Sequence, residues 1–158
     1  MIEKIVTNTS PLLAFSKMQV FEIIGKLPFE FICPAEVESE ILVGAKQGYD
    51  VEIPDWLKVE NLQSNLSPIA VASLDIGEAA VIQLAIEQNI ETVCIDELKG
   101  RRAALAVGLK IVGSLGLLGK SKTLGIINEI KPYIEKAKDN GIFYDENLIR
   151  VFLKSFGE

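Results

Sequence analysis

The spacing of hydrophobic positions changes several times along the chain, and each change predicts an element. Short runs rich in β-branched and apolar residues lie at Lys4–Thr7, Phe29–Cys33, Thr92–Ile95 and Lys110–Val112. Runs of this length are typical of strands in a parallel sheet that is covered on both faces. A further strand, irregular or at the edge of the sheet, is predicted within Trp56–Leu62.

Apolar residues at helical spacing separate these runs. The predicted helices are 10–15, Ala35–Lys46, 75–88, Lys99–Val107, 114–118, Ile127–Lys138 and Asp145–Phe156. Pro11 suits the first turn of the first helix, and Ser73 or Asp75 can cap the third. Gly48–Pro54 is predicted to be a connection. Strands that alternate with helices predict a single α/β domain over residues 1–158, with three layers and a mainly parallel central sheet between helices.

The amino-acid composition then excludes several classes of catalytic site. The chain has 158 residues, 49% of them hydrophobic and 24% charged, which is enough for one compact core. It contains no histidine, so Ser-His-Asp hydrolysis, Cys-His hydrolysis and imidazole-based zinc sites are excluded. Carboxylate chemistry remains.

The same composition predicts a cytoplasmic protein without membrane contact. Its N-terminus lacks the features of a secretory signal, and no apolar run approaches the length that spans a membrane. Cys33 and Cys94 both fall in strand-like segments, where a buried thiol acts as a small hydrophobe. This use of cysteine fits a reducing compartment.

Charge is unevenly distributed along the chain. The net charge is −6, but residues 1–98 carry 5 Lys and Arg against 16 Asp and Glu, whereas residues 99–158 carry 11 against 6. The two parts therefore have net charges of −11 and +5. Taken alone, this asymmetry is more often a matter of chance and solvated helix faces, although a basic part is also what binding a nucleic-acid backbone requires.

Polar residues follow the predicted strands where each one ends. Asn8 and Ser10 follow the first strand, Asp96 and Ser114 follow later ones, and Glu78 begins a helix. Parallel α/β sheets form their sites beyond the carboxyl ends of the strands, so we expect these side chains to converge. Clustered acids repel one another unless a cation neutralises them. Mg²⁺ and Mn²⁺ are the cations that match oxygen ligands.

Five short motifs in order support this expectation. They are Ile5–Leu12, Pro34–Ile41, Asp75–Ala80, Ile95–Glu97 followed by Arg101 and Arg102, and Gly113–Leu118. With them the chain resembles the PIN-domain family, in its branch of small stand-alone prokaryotic proteins. The resemblance covers most of the chain, and each motif is weak alone.

The resemblance implies metal-dependent cleavage of RNA phosphodiesters, often by a toxin that a partner antitoxin holds inactive. It implies a metal and catalytic site formed by Asn8, Glu40, Glu78 and Asp96 with Mg²⁺ or Mn²⁺. It further implies that Ser10, Arg101, Arg102 and Ser114 bind the substrate. Asn8 departs from the aspartate usual in the family, so weaker metal binding and weaker activity are expected. The sequence leaves the oligomeric state open, with a homodimer as one option.

Other interpretations of the same residues stay open. Asn8 and Ser10 are also ordinary turn and cap residues, and Glu78 in a first helical turn stabilises the helix dipole without any function. A PIN-like module that binds without cleaving would explain Asn8. A receiver-type domain phosphorylated on Asp96 is a further alternative. A phosphatase with an aspartyl nucleophile after the first strand is disfavoured, because Asn8 cannot form the acyl phosphate.

Overall fold

The structure is a computed structural model that describes residues 2–48 and 51–158. Its strands are β1 (Glu3–Thr7), β2 (Phe29–Pro34), β3 (Leu57–Glu60), β4 (Thr92–Cys94) and β5 (Lys110–Val112). Its helices are α1 (Thr9–Met18), α2 (Phe21–Gly25), α3 (Ala35–Lys46), α4 (Pro68–Ser73), α5 (Ile76–Glu87), α6 (Leu98–Ala106), α7 (Ser114–Thr123), α8 (Lys131–Asp139) and α9 (Glu146–Ser155). The predicted connection 48–54 lies partly outside the described residues.

The five strands form one sheet in the order β3-β2-β1-β4-β5, and every pair is parallel. The prediction of an α/β fold with a central parallel sheet is therefore confirmed. The chain passes from β1 outward to β2 and β3, and then returns to the other side of β1 with β4. This reversal leaves a crevice between the carboxyl ends of β1 and β4, which is where α/β sheets usually bind ligands.

Helix α5 is the central helix on this sheet. It contacts β1, β2 and β4, as well as the neighbouring helices α3, α4 and α6. Eight of its twelve residues are buried, because contacts on several sides leave little of its surface to solvent. A helix buried in this way needs apolar residues around most of its circumference, which the sequence supplies from Ala79 to Ala85.

The chain forms two compact units. The sheet unit comprises the residues up to Leu12 together with Pro28–Gly113, and it contains all five strands. The helical unit comprises Leu13–Leu27 and Ser114–Glu158. Its core includes Phe15, Met18, Ile24, Leu117, Leu118 and Ile130. The expectation of a single domain over 1–158 stays a prediction.

Several helix bounds differ from the predicted ones. Helices α2 and α4 were not predicted, since five or six residues are too few to establish a helical period. Helix α7 continues to Thr123, beyond the predicted end at Leu118, because its last turn is polar and lacks an apolar repeat. Helix α8 begins at Lys131 instead of Ile127, with a proline in its first turn.

Candidate metal centre

Three residues of the site, Asn8, Asp96 and Glu97, lie at the crevice between β1 and β4. The backbone N–H of Asn8 donates to the carbonyl of Cys94 at 3.0 Å, which joins the carboxyl ends of these two strands. Asn8 is only 4% exposed. Asp96 and Glu97 follow β4 after a single residue, Ile95, so their backbone lies at the same edge of the sheet.

Helix α5 brings a buried acid toward this edge. Asp75 is its N-cap and accepts a hydrogen bond from the backbone N–H of Glu78 at 2.7 Å, while Oε1 of Glu78 accepts one from the N–H of Asp75 at 3.3 Å. This reciprocal pair is a capping box, and it fixes the helix start together with the Glu78 carboxylate. Glu78 is 2% exposed, which is exceptional for a glutamate.

Three acids gather around the start of α5. Asp75, Glu78 and Glu97 each offer a carboxylate oxygen, and these oxygens lie within 4.8 Å of one another. Burial, opposed by the hydrogen bond with Asp75, raises the pKa of Glu78, and the negative charges of Asp75 and Glu97 raise it further. The arrangement therefore holds negative charge that the described residues do not neutralise.

Two buried oxygens identify where a cation would fit. Within the described residues, Oδ1 of Asn8 and Oε2 of Glu78 are buried and accept no hydrogen bond. An unpartnered buried acceptor is costly, and few native groups are left in this state. Both are hard oxygen donors, and one of them belongs to the acid cluster. The donor set therefore fits Mg²⁺ or Mn²⁺ in its chemistry.

The Glu78 carboxylate also lies against a glycine. A Cβ atom at Gly100 in α6 would be 2.8 Å from Oε2 of Glu78 and 2.9 Å from Cγ2 of Ile95. Real Cβ atoms essentially never come so close, so a larger residue at this position would displace the carboxylate. Gly100 is therefore part of what lets the unpartnered oxygen occupy its position.

Glu40, the predicted acid of α3, lies outside the three-acid cluster. Its Oε2 accepts a hydrogen bond from Oγ1 of Thr9 at 2.5 Å, which connects it to the start of α1. Its Oε1 would lie 2.4 Å from a Cβ at Gly77, so this glycine lets the carboxylate approach the start of α5. Glu40 thus adjoins both Asn8 and Glu78 through their chain neighbours.

Asp96 and Arg101 lie beside the turn that follows β5. A Cβ at Gly113 would be 2.9 Å from Oδ1 of Asp96 and 3.0 Å from Nη1 of Arg101. Asp96 is not a member of the three-acid cluster. Arg102, the other predicted basic residue, is exposed on α6.

The two predicted serines have different surroundings. Ser10 donates a hydrogen bond to Oε1 of Glu97 at 3.1 Å, which connects it to the cluster. Ser114 begins α7 in the helical unit, where its hydroxyl lies 2.9 Å from that of Tyr144. The role of Ser114 at the site stays a prediction.

Sequence reasoning missed two members of the cluster. Asp75 was considered as a helix cap and Glu97 as the end of a motif, neither as a metal ligand, yet both lie in the cluster with Glu78. Signals for them were present. The spacing of Asp75 and Glu78 is that of a capping box, and Glu97 stands beside Asp96 at the end of a buried strand.

Comparison with known proteins agrees with this geometry. A family model described as PIN domain matches residues 4–158. The chain therefore belongs to the PIN-domain family, a three-layer α/β fold and part of a superfamily of nucleases that use divalent metals. No match was found among curated proteins. In the described part of the chain, no helix has both the length and the hydropathy that crossing a bilayer requires.

Proposed function

We propose that this protein is a metal-dependent ribonuclease of the PIN type, with its metal centre at the crevice between β1 and β4. The observation that carries the proposal is the buried, unpartnered oxygen of Glu78 within an acid cluster, together with the buried, unpartnered oxygen of Asn8 at the crevice. A purely structural cluster would be expected to satisfy these oxygens with N–H or O–H donors.

The residues have distinct proposed roles. Glu78, Glu97 and Asp75 hold Mg²⁺ or Mn²⁺ with their carboxylates, and Asn8 contributes its amide oxygen. Glu40 and Asp96 complete the predicted set as neighbouring acids. When bound, the cation supplies Lewis acidity for phosphodiester hydrolysis. Ser10 orients the Glu97 carboxylate through its hydrogen bond. The capping box holds Glu78 in place so that the ligand geometry exists before the cation arrives.

The substrate is held by positive charge. Arg101 and Arg102 on α6 bind the phosphate backbone of single-stranded or structured RNA, and Ser114 remains a proposed contact. Arginine suits phosphate because its guanidinium group can donate two parallel hydrogen bonds. An antitoxin partner and a cytoplasmic location complete the proposal, and both rest on the resemblance and the composition alone.

The second candidate is a PIN-like module that binds nucleic acid or protein without cleaving. Asn8 favours this second candidate, because it offers an oxygen ligand but no negative charge at the position where the family usually has an aspartate. A protein of this kind would bind RNA without metal-dependent cleavage, so the same assay separates the two candidates.

The test compares two glutamates at opposite ends of β4. Purified protein is titrated with Mn²⁺ by calorimetry and assayed on labelled single-stranded RNA, with and without EDTA. Glu97→Gln should abolish Mn²⁺ binding and cleavage, because it removes a cluster carboxylate. The matched control, Glu91→Gln, changes an exposed glutamate that precedes β4 and pairs with Lys110, and should leave both unchanged. Cleavage that persists in EDTA would refute the proposal.

A further inference from the structure

A polar cavity lies at the carboxyl edge of the sheet, beyond β2 and β3. Its volume is about 420 Å³, and it is lined by Ala35, Glu36 and residues 61–66. This volume falls within the range of small-molecule sites. The last residues of β2 and β3, Pro34 and Glu60, are register partners, so Ala35 and Asn61 both begin just beyond the strands.

The strand pairing relates the position of this cavity to that of the metal centre. β2 pairs with β1, whose end carries Asn8, and neighbouring strands are about 4.8 Å apart. Glu36 precedes Glu40 by one turn of α3, a rise of about 6 Å along the helix axis. Glu40 in turn accepts a hydrogen bond from Thr9, the residue after Asn8. The cavity is therefore connected to the metal centre through α3, whose Glu36 lines the cavity and whose Glu40 lies next to the centre.

The loop that forms the cavity is anchored through its backbone. Glu87 of α5 accepts hydrogen bonds from the N–H of Gln63 at 2.9 Å and of Ser64 at 3.2 Å. The bonds from Gln63, the Ser64 hydroxyl and Gln83 together hold the pKa of Glu87 below its usual range. Gln83 also donates to the carbonyls of Ser64 at 2.9 Å and Asn65 at 3.2 Å. The loop is thus held in place without any ligand.

Polar side chains that line the cavity are accessible to a ligand: Glu36 is half-buried, and Asn61, Gln63 and Asn65 are exposed. Within residues 2–48 and 51–158, the hydrogen bonds of Gln63 and Asn65 are made by their backbone groups, so their side-chain amides can contact a ligand. The described lining contains no lysine or arginine, so phosphate is not the group it suits. Amides offer both donors and acceptors, and a carboxylate accepts only. This chemistry matches the edge of a nucleobase.

We propose that this cavity binds a nucleobase of single-stranded RNA next to the cleavage point, with guanine preferred, and the proposal rests on the nuclease function above. Guanine presents N1–H and the N2 amino group side by side, so the Glu36 carboxylate can accept both. Adenine, cytosine and uracil lack such a pair of donors on that edge. Leu62 and Leu66, which also line the cavity, supply apolar contact for the flat face of the base.

The test uses nucleosides, which carry no phosphate, in the presence of EDTA. The protein comprising residues 1–158 is titrated with guanosine, adenosine, cytidine and uridine while backbone amide signals are followed by NMR. Guanosine should shift the signals of residues 36 and 61–65 and bind about tenfold more tightly than the others, the discrimination expected of one bidentate contact. Glu36→Gln should remove the preference.

A matched control variant removes the same charge from another glutamate of the same helix. Glu38→Gln alters a glutamate of α3 that does not line the cavity, and should keep the guanosine preference. Equal binding of the four nucleosides, shifts at other residues, or an unchanged preference in Glu36→Gln would overturn the proposal. Guanosine binding by a protein that does not cleave RNA would uphold the cavity and refute the nuclease function, so the two failures are distinguishable.

Discussion

Each compact unit contains a glutamate whose side chain is largely buried, but the two carboxylates have opposite kinds of neighbours. Glu78 of the sheet unit lies among other acids, leaves one oxygen without a donor and has a raised pKa. Glu158 of the helical unit accepts hydrogen bonds from the N–H groups of Ile130 at 2.8 Å and Lys131 at 3.0 Å. It also forms an ion pair with Lys122 at 2.9 Å.

The pKa values of the two glutamates shift in opposite directions, upward for Glu78 and downward for Glu158. Burial alone would raise the pKa of Glu158, but the bonds from Lys122 and from the start of α8 outweigh it and lower the pKa. At Glu78 the neighbouring charges add to the effect of burial instead of opposing it. The sheet unit also carries 7 Lys and Arg against 15 Asp and Glu, and the helical unit 9 against 7. A satisfied acid stabilises the fold, whereas an unsatisfied one indicates a site.

The largest effect is expected when Glu78 loses its charge. Glu78→Gln keeps the capping geometry, because glutamine also serves at this position of a capping box. It should abolish Mn²⁺ binding in calorimetry. In EDTA at neutral pH it should raise the melting temperature, since the buried charge is gone. Mn²⁺ at one hundred times its dissociation constant should stabilise the parent by about 2.7 kcal/mol and the variant not at all.

The stability gain of Glu78→Gln should also depend on pH with a definite sign. A raised pKa means that the parent is fully stable below the ordinary pKa of a glutamate and loses stability as pH rises through the raised value. The variant does not titrate there. Its advantage in EDTA should therefore be complete above the raised pKa and vanish below the ordinary one. Thermal melts across this pH range measure the difference, and a gain that is independent of pH would contradict the account.

The next effect in size concerns Asn8. Asn8→Asp should tighten Mn²⁺ binding by about tenfold, since a unit charge about 4 Å from another is worth about 4 kcal/mol near a protein surface and repulsion offsets part of it. Without metal the added carboxylate should lower the melting temperature, and Mn²⁺ should restore it. Unchanged binding, stability and cleavage would mean that Asn8 does not face a metal.

A smaller effect on metal binding is expected from a change at Gly77, the glycine that lets Glu40 approach α5. Gly77→Ala should weaken Mn²⁺ binding by about threefold, because the new Cβ pushes aside a flexible carboxylate while the fold remains. Glu40→Asp in that background shortens the acid and should restore part of the affinity. A metal-free crystal structure should show the Thr9–Glu40 hydrogen bond broken in Gly77→Ala, and an intact bond would contradict the argument.

The control for these glycine effects lies in the helical unit. A Cβ at Gly119 would be 2.5 Å from Cζ of Phe156, and its three nearest atoms all belong to that ring. Gly119→Ala should therefore destabilise the protein by about 1–3 kcal/mol through overpacking and leave Mn²⁺ binding unchanged.

At Glu158 we expect no effect on metal binding. Glu158→Gln should lower the free energy of unfolding by about 1.5–3 kcal/mol, the usual contribution of hydrogen bonds to a charged group. Urea unfolding measures this loss, and calorimetry should give the parent's Mn²⁺ affinity. A change in metal affinity would break the distinction between the satisfied and the unsatisfied acid.

The sequence by itself determined the alternation of strands and helices. Helix α3 and strand β5 have the predicted bounds, because a proline or glycine marks where each begins or ends and apolar spacing does not depend on distant residues. It also determined that Asn8, Glu78 and Asp96 would stand at strand ends and a helix start. These are local features, which short stretches of chain encode.

Only the tertiary structure decided which acids meet. Asp96 and Glu97 are neighbours at the end of β4, but the cluster contains Glu97, since adjacent side chains leave an extended backbone in different directions. Asp75 joins because capping fixes it against Glu78. Whether a buried oxygen has a donor depends on every element packed around it. Distances between residues far apart in the chain are set by packing, and hydrophobic spacing carries no record of them.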